Sequence, residues 1–135
     1  MSAPPLRWAW VVVVLFTASG IVHLVRPSAF AAQVPDFLPA QTAVVVVSGV
    51  LELACAALLV VPRTRRLGGL AAAALLVAIF PGNLWQTWEA WSDHRAGDAS
   101  TAYLLGTLVR LPLQVPLVWW TWRVWRPAQG QPARP

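Results

Sequence analysis

The chain has 135 residues, of which 58% are hydrophobic and only 11% are charged. A soluble domain of this length needs more polar side chains to cover its surface, so the composition predicts a single-domain integral membrane protein. All 10 basic residues are arginine, and the net charge is +5. Because the arginines lie beside apolar segments, the expected partners are membrane lipids and not nucleic acid. A single cysteine, Cys55, excludes a disulfide within the chain and any site built from paired cysteines.

Four apolar segments predict an all-α membrane protein with a bundle of four transmembrane helices. The expected spans are residues 8–25, 41–61, 67–91 and 102–122, each close to the roughly 20 residues that cross a bilayer. We expect the first segment to be a retained helix and not a signal peptide, because the apolar core of a signal peptide is only about 7–15 residues long. Residues 123–135 are basic and proline-rich, which predicts a disordered cytoplasmic tail.

Prolines interrupt the apolar pattern in two places. Residues 27–40 contain Pro27, Pro35 and Pro39, and they are too few to span a bilayer and too apolar for a solvated loop. We expect this segment to lie in the membrane interface or to re-enter the bundle. In the third span, Pro81 and Gly82 are expected to kink or interrupt the helix, because proline has no N–H for the helical hydrogen bond.

The distribution of arginine predicts the orientation of the chain. With four spans, one side of the membrane holds seven arginines: Arg7, Arg63, Arg65, Arg66, Arg123, Arg126 and Arg134. The other side is expected to hold two arginines and four acids: Arg26, Arg95, Asp36, Glu89, Asp93 and Asp98. Under the positive-inside rule, both termini are therefore expected on the cytoplasmic side of the membrane.

The candidate site consists of polar residues inside the spans. Glu52 lies near the middle of the second span, where an unpartnered ionisable side chain costs about 2.5–3.5 kcal/mol or more. At ~1.5 Å per residue, Glu52 lies roughly 16 Å and Arg110 roughly 12 Å below the outer ends of their helices. Asn83, Gln114 and His23 are expected in the same outer half of the bundle. We expect Glu52 and Arg110 to form the central ion pair, with the other three side chains hydrogen-bonded around it.

Two interpretations of this polar cluster stay open. In the first, it is a structural ion pair with amide neighbours that holds four helices in register. In the second, the same residues line a pocket for a small amphipathic ligand such as a quinone or a lipid headgroup. Burial in an apolar pocket and an adjacent guanidinium act in opposite directions on a carboxyl group, so the charge of Glu52 stays open as well. No metal site and no catalytic residue is predicted.

Several motifs in order resemble the DoxX-like family of membrane proteins. The resemblance covers about residues 20–83. It rests on five motifs: residues 20–30 (with Gly20, His23 and Pro27), 35–39, 48–52 (ending in Glu52), 62–66 and 80–83 (ending in Asn83). Residues 110–114 are also similar to the last helix of many members. The resemblance implies a small four-helix protein of the bacterial cytoplasmic membrane, acting as an auxiliary or anchor subunit beside a soluble redox enzyme. It makes quinone a candidate cofactor, establishes none, and supplies no catalytic set.

The leading hypothesis is a non-catalytic auxiliary subunit whose polar pocket binds quinone or lipid. One alternative is a catalytic, quinone-linked oxidoreductase subunit. Another is a small transporter or channel, which an interrupted third helix and buried charges would suit. Expected partners are a soluble oxidoreductase and, through the small residues at 68–74, a second copy of the chain.

Overall fold

The computed structural model describes residues 9–126 of the chain. All regular structure in this range is helical, and four main helices are present: α1 (Trp10–Val25), α2 (Gln41–Val60), α3 (Arg65–Ala96) and α4 (Thr101–Trp125). The predicted all-α fold is therefore confirmed. Helices α2, α3 and α4 are long and apolar enough to cross a membrane, as expected of an integral membrane protein, whereas α1 is a shorter apolar helix of 16 residues.

Some of the sequence predictions fall outside this range. The described residues exclude the first residue of the first predicted span and residues 127–135 of the predicted tail. They also exclude Arg7 and Arg134, which were used to predict the orientation. The start of the predicted tail is helical, because α4 continues through Arg123 to Trp125.

Helix α3 is continuous, so of the two outcomes expected at Pro81, a kink or an interruption, the interruption is wrong. The helix runs for 32 residues with Pro81 inside it. Proline removes the N–H that would bond the carbonyl four residues earlier, at Val77. One residue before that position, the Leu76 carbonyl accepts a hydrogen bond from the side-chain amide of Gln114 on α4.

The helices pack in sequence order, α1 on α2, α2 on α3 and α3 on α4, with only slight contact between α1 and α4. Two glycine contacts bring the backbones close together. A Cβ atom at Gly20 would lie 2.8 Å from the carbonyl oxygen of Gly49, so α1 and α2 approach at these two residues. A Cβ atom at Gly69 would lie 2.7 Å from the carbonyl oxygen of Thr121, so α3 and α4 approach there.

Burial divides the bundle into two halves. The apolar half contains the start of α1, the end of α2, the start of α3 and the end of α4, and its core includes Val12, Phe16, Cys55, Leu59, Ala72, Leu76 and Val124. The polar half contains the opposite ends of the four helices. It holds all the buried polar side chains of the described chain except Thr121: His23, Glu52, Asn83, Gln86, Thr87, Thr107 and Gln114.

The segment between α1 and α2 covers the polar half. It begins with a 3-10 helix, Pro27–Gln33, which contacts α1, α2 and α3. A Cβ atom at Gly82 would lie 2.9 Å from the carbonyl oxygen of Gln33, so the absence of a side chain at Gly82 lets this segment pack directly on α3.

Candidate functional site

Glu52 and His23 meet at the contact between α1 and α2. Both side chains are 4% exposed, and Nδ1 of His23 lies 3.2 Å from Oε2 of Glu52. Each residue follows a contact glycine by three positions, Gly20 on α1 and Gly49 on α2. Because helical side chains tilt toward the N-terminus of their own helix, side chains on two antiparallel helices tilt toward each other. The glycine contact therefore brings these two side chains together.

The imidazole of His23 does not satisfy the carboxylate of Glu52. The same Nδ1 atom lies 2.7 Å from the carbonyl oxygen of Ser19 and 3.1 Å from its hydroxyl oxygen. Because the Ser19 carbonyl oxygen is the nearest of these atoms and can only accept, we assign the Nδ1 hydrogen to Ser19. Oε2 of Glu52 is consequently buried without a hydrogen-bond partner among the described residues, although His23 lies within ion-pair distance.

Phe30 of the 3-10 helix covers the His23 ring. The two ring centroids are 3.9 Å apart and the ring planes are 25° from parallel. The interhelical segment therefore closes the polar half above the His23–Glu52 pair, and it excludes water from one face of the imidazole.

Arg110 binds glutamine side chains, and the expected direct ion pair between Glu52 and Arg110 is not formed. Its Nη1 donates to Oε1 of Gln86 at 2.8 Å. With the Gln33 amide oriented so that its oxygen faces the guanidinium, that oxygen accepts from both terminal nitrogens of Arg110 at 3.2 Å. Gln86 in turn donates from Nε2 to the hydroxyl of Tyr103 at 3.2 Å. Arg110 still lies close enough to Glu52 for the opposite charges to attract each other.

Asn83 and Gln114, which were expected to hydrogen-bond around Glu52 and Arg110, bond to each other instead. Nδ2 of Asn83 donates to Oε1 of Gln114 at 2.8 Å, and Gln114 donates from Nε2 to the Leu76 carbonyl. The backbone carbonyl of Asn83 accepts from the Thr87 hydroxyl at 2.9 Å. Oδ1 of Asn83, however, is buried with no hydrogen-bond partner among the described residues.

The five predicted residues thus lie in one half of the bundle, in three groups: His23 with Glu52, Asn83 with Gln114, and Arg110 with two glutamines. Sequence reasoning missed Ser19, Gln33 and Gln86. Helical spacing would have identified two of them, because Ser19 is four residues before His23 and Gln86 is three residues after Asn83. Gln33 is in a 3-10 helix outside the spans, and no periodic pattern assigns it to the site.

The chemistry available here is hydrogen bonding and charge. The cluster presents two unsatisfied acceptors, Glu52 Oε2 and Asn83 Oδ1, together with the guanidinium of Arg110. Buried polar atoms are almost always paired with protein or ordered water, so each of these acceptors lacks a hydrogen-bond donor that the described residues do not supply. Over residues 9–126, no group of three or more His, Cys, Asp or Glu side chains is placed to hold a metal ion.

Fold and site together define a small all-helical membrane protein with a buried polar cluster at one end of the bundle. Residues 12–125 match the model of a family described as a domain of unknown function, DUF8561, and the chain belongs to this family. No curated protein and no solved structure matches the chain.

Proposed function

We propose that this protein is a DoxX-like auxiliary or anchor subunit that binds a small amphipathic ligand, a quinone or a lipid headgroup, in the polar half of its bundle. The observation that carries the proposal is the pair of unsatisfied buried acceptors, Glu52 Oε2 and Asn83 Oδ1. A cluster with a purely structural role would be expected to satisfy its own members, because an unpaired polar group in a low-dielectric interior costs about 1–3 kcal/mol.

The two unsatisfied acceptors and the guanidinium of Arg110 restrict the chemical class of the ligand. A group that donates hydrogen bonds suits the two acceptors, and an oxygen on the same ligand suits the guanidinium of Arg110. A hydroquinone has hydroxyl groups that both donate and accept, and so do the glycerol or sugar hydroxyls of a lipid headgroup. An oxidised quinone has only acceptor oxygens. It would accept a hydrogen bond from Arg110, but it could not donate one to Glu52 Oε2 or Asn83 Oδ1. Ordered water is the alternative occupant that the experiment below must separate from these ligands.

In this proposal all four helices cross a bacterial cytoplasmic membrane, with both termini on the cytoplasmic side. Support comes from charge: Arg63, Arg66, Arg123 and Arg126 lie at the apolar end of the bundle, whereas four of the five acids lie at or beyond the polar end. Arginine is enriched on the cytoplasmic side of membrane proteins. The polar half and the segment over it would then face the outer side, with residues 27–40 at the interface.

The test is direct extraction of the protein purified in a mild detergent. Quinones and lipids are quantified by mass spectrometry for the wild type and for Glu52→Gln and Asn83→Leu. We expect about one equivalent of one ligand in the wild type and its loss in both variants. Thr121→Val is the matched control, because Thr121 is a buried polar residue of the apolar half whose hydroxyl bonds only carbonyls of its own helix. Folded protein without a stoichiometric ligand would refute the proposal.

The contact between His23 and Glu52 favours one second candidate, a catalytic quinone-linked subunit in which this pair relays the two protons that quinone reduction consumes while a soluble reductase partner supplies the two electrons. That function predicts quinone reduction when the purified protein is combined with the soluble partner, and loss of that rate in Glu52→Gln. An unchanged rate in Glu52→Gln would remove it. The transporter alternative loses the helix break that suggested it, because α3 is continuous.

A further inference from the structure

An apolar groove lies on the outer face of the bundle between α3 and α4. It has a volume of about 430 Å³ and is lined by Val77, Phe80, Val115, Val118, Trp119 and Trp122. Gln114 also borders it, but both ends of that amide are already hydrogen-bonded to Asn83 and to the Leu76 carbonyl. The groove is open to the surroundings, since Val115 is 70% exposed. Gln114 is the one residue that the groove shares with the polar cluster, and a ligand in the groove requires only that α3 and α4 lie in a membrane.

One end of the groove is basic and aromatic. Trp119 and Trp122 lie in the last two turns of α4, and Arg123 follows directly. The guanidinium carbon of Arg123 lies 4.6 Å from the centroid of the Trp119 ring, which holds the cation beside the groove. No carboxylate of the described chain pairs with Arg123, because the acids lie in the polar half or in the loops beyond it.

We propose that this groove binds one anionic phospholipid, with an acyl chain in the groove and the phosphate on Arg123. Tryptophan and arginine at a helix end are typical of the headgroup level, and a guanidinium matches phosphate geometry. The length of the groove also fits an acyl chain in one leaflet of the bilayer. Gln114 to Trp122 extends over roughly 12 Å at ~1.5 Å per residue, close to the ~15 Å of one leaflet of a 30 Å hydrocarbon core.

Charge argues against a second copy of the chain as the occupant. A copy docked side by side would bring its own arginine-rich end to the same membrane level, next to Arg123, with no acid nearby to neutralise either. Like charges at close range in a region of reduced dielectric repel. A phosphate neutralises Arg123 instead.

The proposal is tested by native mass spectrometry of delipidated protein in detergent, titrated with phosphatidylglycerol and phosphatidylcholine that carry identical acyl chains. We expect one preferred lipid per chain and roughly fivefold tighter binding of phosphatidylglycerol, the ratio expected from one arginine at a membrane surface. Arg123→Gln should bring the ratio close to one. Arg95→Gln is the matched control, an exposed arginine at the opposite end of the bundle, and it should leave the ratio unchanged.

A second variant tests the groove itself. Val115→Trp places a ring in the groove at an exposed position where the fold tolerates a larger side chain, and it should weaken binding of both lipids. Circular dichroism confirms that each variant is folded. Equal binding of the two lipids by the wild type, or the same ratio in Arg123→Gln and Arg95→Gln, would overturn the proposal. The proposal would also be overturned if light scattering showed that the wild type is a dimer and that Val115→Trp dissociates it. The occupant of the groove would then be a second copy of the chain.

Discussion

The contact between Gly20 and Gly49 makes the sharpest prediction about stability. In Gly49→Ala, the new Cβ would lie 2.6 Å from the Cβ of His23 and 3.1 Å from the carbonyl oxygen of Gly20. Ordinary contact starts near 3.4 Å, so α1 and α2 must separate by about 0.8 Å, which is 3.4 minus 2.6. Neither neighbouring atom is the end of a flexible side chain. Overpacking of this kind costs typically about 1–3 kcal/mol.

Helix propensity acts in the opposite direction, because alanine is favoured over glycine in a helix by about 0.8–1 kcal/mol. Gly106→Ala is the matched control, since a Cβ at Gly106 in α4 meets no atom within 4 Å. The control reports the propensity gain alone. We therefore expect Gly49→Ala to be less stable than Gly106→Ala by about 1–3 kcal/mol, the size of the clash.

The assay is reversible unfolding in mixed micelles, in which sodium dodecyl sulfate is titrated against a mild detergent and helicity is followed by circular dichroism. The ligand content of Gly49→Ala supplies a second measurement, because separating α1 from α2 also separates His23 from Glu52. Equal stability of Gly49→Ala and Gly106→Ala would refute the close approach of the two helices and the reasoning that places His23 beside Glu52.

Three further variants are expected to move the same unfolding transition. Gln114→Leu removes the acceptor of Asn83 and the donor to Leu76, and it should destabilise by about 1–3 kcal/mol; no change would contradict the buried amide contact. Gly97→Ala should destabilise by about 1–2 kcal/mol through backbone strain alone, because Gly97 has φ +89° and open space around it. Ala40→Gly should stabilise by about 0.5–1 kcal/mol, because Ala40 has φ +60° before α2; destabilisation would contradict the left-handed conformation.

The positions of the helices could be predicted because each helix coincides with a long run of apolar residues. The second span was expected at residues 41–61, and α2 is Gln41–Val60. Arginines and prolines delimit such runs, and a run of about 20 apolar residues has few alternatives to a helix in a membrane. The end of α3 was less accessible to prediction, since the polar residues after Trp91 continue the helix to Ala96. Gly97, which adopts the left-handed conformation there, ends it.

The partner of Glu52 could not be predicted by comparing depths. Rise per residue gives the level of a side chain along the helix axis, and it says nothing about the direction in which the side chain points. Arg110 and Glu52 were expected at similar levels, but the guanidinium is bound by Gln86. His23 contacts Glu52 because two glycines bring α1 and α2 together, a packing feature that a single sequence does not reveal.

The distribution of hydrogen bonds is the reason why we propose a ligand site and not a purely structural ion pair. A structural ion pair inside a membrane is expected to use its hydrogens on its partner, because the desolvation of both charges must be offset by that contact. His23 instead donates its Nδ1 hydrogen to Ser19 of its own helix, and Arg110 is bound by glutamine. Oε2 of Glu52 is left without a hydrogen-bond partner among the described residues. In the function we propose, a donor group of the bound ligand fills this position.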